Sequence, residues 1–96
     1  MDTYEIYNII PKFGAMEHVH NTILRRPCWI LRLEPGRQGW LLVDVGDEKL
    51  GPHRIALSIV TSVQGMPGDS EICIETEYTF YCLRKLSDHR KQHYPQ

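Results

Sequence analysis

Apolar and polar side chains alternate along most of the chain between residues 28 and 84, and this pattern predicts β-strands. Residues 28–34, CWILRLE, and residues 40–45, WLLVDV, are rich in aromatic and aliphatic side chains. Between them lies PGRQG, in which Pro35 and Gly36 suit a turn. We therefore expect residues 28–45 to form a β-hairpin with a loop of about five residues.

Residues 53–64, HRIALSIVTSVQ, predict a third strand, because they lie between two loops rich in glycine and proline. These loops are GDEKLGP, residues 46–52, and GMPGDS, residues 65–70. Strict alternation gives the strand two faces, one with Ile55, Leu57, Ile59 and Thr61 and the other with Ala56, Ser58, Val60 and Ser62. The second of these faces has small side chains, which favours close packing over exposure to solvent.

Residues 71–83, EICIETEYTFYCL, have two interpretations. If Glu77 and Tyr78 are the central residues of a tight turn, the segment is a hairpin that places Cys73 opposite Cys82. The alternative is one bent strand of about fourteen residues, because Glu-Tyr lacks the Asn-Gly chemistry of two-residue turns. We favour the hairpin, since it gathers a core set on one face. That set is Ile72, Ile74, Tyr81 and Leu83.

The N-terminal third gives weaker patterns. Residues 3–10 are rich in Tyr and Ile and predict a strand, whereas residues 14–24 fit either one or two helical turns or a further strand. Residues 87–96 have no apolar face and predict a frayed polar tail. The chain is therefore expected to be a single β-rich domain over residues 1–86 followed by that tail.

The predicted fold class is mainly β. Four to six strands with short connections and at most one short helix indicate a small antiparallel sheet, or an open barrel of SH3-like or OB-like type.

Composition limits the function classes. The 96 residues suffice for one modest core, and 42% hydrophobic with 24% charged residues is ordinary globular composition. Eleven basic and twelve acidic side chains give a formal net charge of −1, so no overall positive field attracts nucleic acid. The chain contains no apolar run of membrane-spanning length and no signal-peptide pattern. We expect a cytoplasmic protein that does not bind membranes.

Histidines and cysteines offer candidate metal ligands without a metal-binding motif. One set could converge on zinc; it consists of His18, His20, Cys28 and His53. A second pair, His89 and His93, has the i, i+4 spacing of a helical metal site but lies in the polar tail. Surface imidazoles explain both sets more simply, so we expect no metal, no cofactor and no catalytic residues.

Cys73 and Cys82 could form a cross-strand disulfide if the hairpin is correct and the compartment is oxidising. We favour two reduced thiols packed in a small barrel, because cysteines in a reducing compartment are most simply small apolar core residues. No neighbouring basic residue marks either cysteine as a nucleophile.

Acidic and aromatic side chains in loops are candidates for contact with a protein partner, because Tyr, Trp and Arg anchor most interfaces. Acids group around the 46–52 and 65–70 loops, at Asp44, Asp47, Glu48, Asp69 and Glu71. Such acids often only solvate a loop, but they could also contribute to binding. The candidate partner-binding residues are Asp47, Glu48, Asp69, Tyr78 and Arg37.

A basic and aromatic surface for single-stranded nucleic acid is the alternative. Its candidate residues are Arg25, Arg26 and Arg54, with Trp29, Trp40, Arg37, Tyr78 and Tyr81 as further contributors. The balanced charge argues against this function, because phosphate binding normally needs a basic field.

Residues 55–84 contain Thr61-Ser62-Val63, a glycine-bearing loop, Glu75-Thr76, and then Tyr81 and Leu83. This arrangement is similar to a pattern of the form TSxV…T…Y-x-L, and through it the segment resembles small uncharacterised β-proteins of bacteria and their phages. Glu77-Tyr78 stands where that pattern has an Asn-Ser pair. The resemblance covers about a third of the chain and implies a fold, not an activity.

We therefore expect a small non-enzymatic binding protein that acts by protein–protein contact. A regulator or inhibitor of a host defence protein, encoded by a phage or mobile element, is the concrete version of this expectation. The alternatives are an SH3- or OB-like nucleic-acid-binding module and a small metal protein or enzyme that uses His18 and His20. Pairing of exposed strand edges could also produce a homodimer.

Overall fold

The computed structural model describes residues 2–86, so the predicted tail at 87–96 lies outside the described residues. Six strands and one short helix follow one another with short connections. The elements are β1 (Tyr4–Pro11), α1 (His18–Ile23), β2 (Pro27–Arg32), β3 (Gln38–Val43), β4 (His53–Gln64), β5 (Glu71–Thr76) and β6 (Thr79–Lys85).

The strands form a closed antiparallel barrel in sequence order, because β1 pairs with both β2 and β6. The prediction of a small, mainly β antiparallel fold is therefore confirmed, and the barrel is closed rather than open. The predicted β2–β3 hairpin is also confirmed, with its loop at residues 33–37. No helix among residues 2–86 is long and apolar enough to cross a membrane.

Strand β4 is long because it belongs to two parts of the barrel. Its first half pairs with β3 and its second half, from Val60 onward, pairs with β5. Register shifts interrupt both pairings, and such bulges bend a strand. The bounds of β4 match the prediction, but its predicted faces are wrong: Leu57 and Val60 both point into the barrel, whereas 37% of Ile59 is exposed.

The β5–β6 hairpin has the predicted register, with Ile72 opposite Leu83 and Cys73 opposite Cys82. The alternative of a single bent strand is wrong. Glu77 and Tyr78 lack the side chains that favour a two-residue turn, and hydrogen bonds from Thr76 stabilise the turn instead. Its side-chain oxygen accepts hydrogen bonds from the backbone N–H groups of Tyr78 and Thr79, and its hydroxyl donates to the Thr79 carbonyl oxygen.

The N-terminal prediction of a strand is confirmed by β1, and residues 14–24 contain a helix rather than a further strand. Helix α1 begins with a capping box in which the backbone N–H of Glu17 donates to Nδ1 of His20, 3.1 Å away. His20 and Ile23 are the buried residues of α1, with exposed fractions of 6% and 1%. The helix thus directs two side chains toward the barrel core.

The barrel interior is filled mainly by aliphatic side chains, together with Tyr4, Tyr81 and Cys28. Gly39 makes room for this packing, because a Cβ atom there would lie 2.9 Å from Cγ2 of Val60 and 3.2 Å from Cδ1 of Leu57. The buried hydrophobic residues are Tyr4, Ile6, Ile9, Ile23, Cys28, Leu41, Val43, Leu57, Val60, Ile72, Ile74, Tyr81 and Leu83.

Candidate functional site

The antiparallel barrel has two ends that differ in their covering. At the end that we call the terminal end, β1 begins and β6 ends, and the N–H of Leu86 donates to the carbonyl oxygen of Thr3 at 3.0 Å. The loops of residues 33–37 and 65–70 lie at the same end. The opposite end, which we call the helix end, carries α1, the 44–52 loop and the β5–β6 turn.

A cleft of about 600 Å³ opens at the terminal end. One wall is the end of β2 with Leu33, and the other is the start of the 65–70 loop. Most of its side chains are apolar, as is usual in pockets that bind ligands. The cleft is lined by Asp2, Tyr4, Ile30, Leu31, Arg32, Leu33, Pro35, Val63, Gly65, Met66, Pro67 and Ile72.

Hydrogen bonds fix the loop wall of the cleft. The hydroxyl of Tyr4 donates to the carbonyl oxygen of Asp69 and accepts from the N–H of Gly68, each at 2.9 Å. The carboxylate of Asp69 accepts from the N–H of Met66 at 2.8 Å. Gly65 has a φ of +101°, in the region that favours glycine. The loop is therefore held in place before any ligand arrives.

The β2 wall of the cleft includes a strand edge. Strands β1 and β2 pair at only two positions, Tyr4 with Cys28 and Glu5 with Pro27. The same register would place Asp2 opposite Ile30, but β1 begins at Tyr4. Within residues 2–86, no strand pairs with the side of Ile30–Arg32 that faces away from β3. Backbone groups on such an edge can pair with another extended chain.

Two apolar side chains at the cleft are open to solvent: Leu31 is 37% exposed and Met66 is 69% exposed. Charged groups of opposite sign, Asp2 and Arg32, lie beside them. The sequence patterns did not identify this cleft. The signal in the sequence that could have located it is the apolar Met66 within a loop of polar, glycine and proline residues.

The predicted partner-binding residues do not form one surface. Asp47, Glu48 and Tyr78 lie at the helix end, whereas Asp69 and Arg37 lie in loops of the terminal end. Tyr78 is 59% exposed and lines a smaller pocket of about 250 Å³ beside α1. Arg37 contacts Glu34, with 4.0 Å between nitrogen and oxygen. Asp69 supports the cleft loop instead of presenting a free carboxylate.

Asp47 organises its own loop. Its carboxylate accepts hydrogen bonds from the backbone N–H groups of Leu50 and Lys49 and lies 2.9 Å from Nε2 of His53. The hydrogen bond from the Leu50 N–H is the largest cause that lowers the pKa of Asp47 below its ordinary value, and the hydrogen bond with His53 is the next largest. The acid therefore has a structural role in the turn.

Among the candidate nucleic-acid-binding residues, Arg25 and Arg26 contribute backbone contacts. The N–H of Arg25 donates to Ile6 at 2.7 Å, and the carbonyl oxygen of Arg26 accepts from Ile6 at 3.4 Å. Arg25 adopts a φ of +69°, which marks a tight connection into β2. Their side chains are exposed.

Arg54 has different neighbours. It lines a shallow pocket of about 270 Å³ with Leu31, Arg32 and Trp40 on the outer surface of β2, β3 and β4. The structure thus groups Arg54 with Arg32 and an indole ring. An aromatic ring with two guanidinium groups could stack on a nucleic-acid base.

The candidate metal ligands are dispersed. His18 is exposed on α1, while His20 is buried with its ring edge-on to Tyr81, the ring centroids 6.0 Å apart. His53 contacts Asp47, and burial raises the pKa of the Cys28 thiol to about 12. In the part of the chain that the structure describes, no three His, Cys, Asp or Glu side chains are arranged to hold a metal. His89 and His93 lie outside it.

The outer surface of β1, β6 and β5 carries a polar cluster. The Tyr7 hydroxyl donates to the Glu71 carboxylate, and this bond raises the pKa of Tyr7 to about 12. The guanidinium of Arg84 lies 5.0 Å from the Tyr7 ring centroid and 2.8 Å from Glu5. These contacts join the outer surfaces of three strands of the barrel.

The chain matches no known protein-family model, no curated protein and no solved structure.

Proposed function

We propose that this protein is a small non-enzymatic binding module that takes an extended apolar segment of a protein partner into the cleft at the terminal end. The observation that carries this proposal is the combination of an apolar cleft of about 600 Å³ with the strand edge at Ile30–Arg32. A cleft alone would suit any apolar ligand, but a cleft beside backbone hydrogen-bonding groups suits a peptide.

The physical argument follows the way extended peptides add to sheets. Main-chain hydrogen bonds to an exposed edge supply affinity, and alternate side chains enter neighbouring pockets and supply selectivity. Here Ile30–Arg32 offers the edge, and Leu33, Val63 and Ile72 line the adjacent cavity. Because Tyr4 and Asp69 already fix the opposite wall, little ordering free energy is lost on binding.

The partner segment should carry apolar residues at every second position, with an acidic residue at the end that lies near Arg32. Arg32 at the cleft favours a negative charge beside it, whereas the Asp2 carboxylate already lies 3.5 Å from the ammonium group of Lys85. Regulation or inhibition of a host defence protein, by a protein of phage or mobile-element origin, is the more specific form of this proposal. The resemblance of residues 55–84 is its support.

Selection from displayed random peptides of about 10 residues tests the proposal with the full chain as the target. We expect a consensus with alternating apolar positions and affinity that falls at least about tenfold in Met66→Asp and in Leu31→Asp. Leu50→Asp is the matched control, because Leu50 is 78% exposed and does not line the cleft. N-methylation of the peptide backbone at the positions facing β2 should weaken binding similarly.

Other results would reject this function. Equal affinity losses in Leu50→Asp and Met66→Asp would place the binding surface elsewhere. Insensitivity to N-methylation would indicate a pocket for a small apolar molecule, without strand pairing. Concentration-dependent dimerisation lost in Leu31→Asp would identify a second copy as the occupant. Salt-sensitive oligonucleotide binding that is lost in Arg54→Ala would favour the surface formed by Arg32, Trp40 and Arg54.

A further inference from the structure

The two cysteines of the β5–β6 hairpin lie side by side on the outer surface of the barrel. Cys73 is directly opposite Cys82 in the register, and their sulfur atoms are 3.8 Å apart. Both are partly exposed, whereas the core residues Ile72 and Ile74 on either side of Cys73 point inward. The pair is therefore in reach of a dissolved reagent.

Strand geometry suits a bond between these thiols. Residues directly opposite each other in an antiparallel pair have Cα atoms about 4.5–5.5 Å apart, within the range of about 4.4–6.8 Å that disulfides span. Rotation of the two side chains can therefore bring the sulfurs to bonding distance while the backbone stays in register. Cys28 differs, because it is buried in the barrel with no exposed surface.

We propose that Cys73 and Cys82 form a thiol–disulfide exchange site that accepts small-molecule disulfides of the glutathione class and converts reversibly to a cross-strand disulfide. The thiolate of one cysteine attacks a sulfur of the dissolved disulfide, forms a mixed disulfide and releases one thiolate. The second cysteine then attacks the protein sulfur of that mixed disulfide and releases the second small thiol. The two protein thiol protons end on the two released thiols, and the dissolved disulfide is the oxidant.

The surroundings make the first step slow at neutral pH. Burial, the neighbouring thiol and the negative charge of Glu71 raise the pKa of Cys73, so little thiolate is present there. The second step is intramolecular and fast, because the partner sulfur is already 3.8 Å away. The site should therefore pass through the mixed disulfide without accumulating it. This inference does not depend on the proposed peptide-binding function.

The test incubates the reduced full chain with graded mixtures of reduced and oxidised glutathione at mildly alkaline pH, followed by alkylation and mass spectrometry. We expect the wild-type chain to lose two alkylatable thiols and the mass of two hydrogen atoms, with a cross-linked peptide joining Cys73 to Cys82. Cys28→Ala is the matched control and should behave in the same way. Cys73→Ser should instead gain one glutathione on Cys82.

The concentration dependence decides between a paired site and two independent thiols. At fixed reduced glutathione, we expect half-conversion of the wild-type chain at a concentration of oxidised glutathione at least about tenfold lower than Cys73→Ser needs for its adduct. Two glutathione adducts on the wild-type chain would overturn the proposal. So would a pair that stays reduced under conditions in which Cys73→Ser is modified.

Discussion

The two ends of the barrel differ in whether a connecting segment covers the apolar side chains at the barrel mouth. At the helix end, the connection of residues 12–26 contains α1, which buries Ile23 and His20. At the terminal end, the loops of residues 33–37 and 65–70 are short, and the cavity between them holds about 600 Å³. A connection long enough to contain a helix brings its own apolar side chains to the barrel mouth. A short turn cannot, so apolar residues such as Leu31 and Met66 stay open to solvent at the terminal end.

The largest expected effect tests whether α1 is part of the core. Ile23→Ala should lower the free energy of unfolding by about 2–5 kcal/mol, because it removes a fully buried aliphatic side chain and leaves a cavity. Equilibrium denaturation with urea measures this change. Val19→Ala on the same helix, where the side chain is 40% exposed, should change stability by no more than about 0.5 kcal/mol. Equal effects in both variants would mean that the helix does not cover the barrel mouth.

Substitution of one glycine at each end of the barrel by alanine should have an intermediate effect on the free energy of unfolding. Gly65 and Gly51 both have positive φ, +101° and +75°. A Cβ atom at Gly65 would lie 2.8 Å from the carbonyl oxygen of Glu71, whereas nothing lies within 4 Å of one at Gly51. Gly65→Ala should therefore cost about 1–3 kcal/mol, and Gly51→Ala only the backbone strain of about 1 kcal/mol.

Thermal unfolding of the two glycine variants isolates the crowding at the cleft wall, because the left-handed backbone is common to both. A Gly51→Ala variant that is as destabilised as Gly65→Ala would indicate that backbone strain alone sets both costs. The cleft loop would then have no special rigidity compared with the loop at the helix end.

The sequence predicted those parts of the fold that depend on local alternation and turn residues. The bounds of β4 and the register of the β5–β6 hairpin follow from the spacing of apolar residues between glycine-containing loops. The faces of β4 did not follow, because a bulge in the pairing with β3, between Ala56 and Ile59, places Leu57 and Val60 on one side and breaks the two-residue period. Strict alternation contains no information about where a strand passes from one neighbour to the next.

The cleft could not be predicted for a related reason. It exists because β1 and β2 pair at only two positions, which leaves the end of β2 beyond the start of β1. That offset is a property of barrel closure between distant parts of the chain and has no local pattern. Candidate residues chosen by charge, such as Asp47 and Asp69, proved to be hydrogen-bonded within their own loops.

The smallest expected effect concerns Asp47 at the helix end. Its pKa is lowered by the backbone N–H of Leu50 and by His53, so its folded pKa lies below its unfolded pKa. The stabilisation is therefore present above the unfolded pKa of about 4 and is lost as the pH falls through the folded pKa. Asp47→Asn should lower the melting temperature at pH 6 slightly and leave it unchanged near the acid limit.

Melting temperatures of wild type and Asp47→Asn across acidic pH therefore should converge as the pH decreases. Glu48→Gln removes the same charge from the neighbouring residue, whose side chain is exposed, and it serves as the control. Its melting temperatures should run parallel to those of wild type. Convergence in Glu48→Gln as well would assign the effect to the general charge of the loop. Asp47 would then no longer hold its loop in the way that Tyr4 and Asp69 hold the cleft wall, and the two ends would differ in this respect as well.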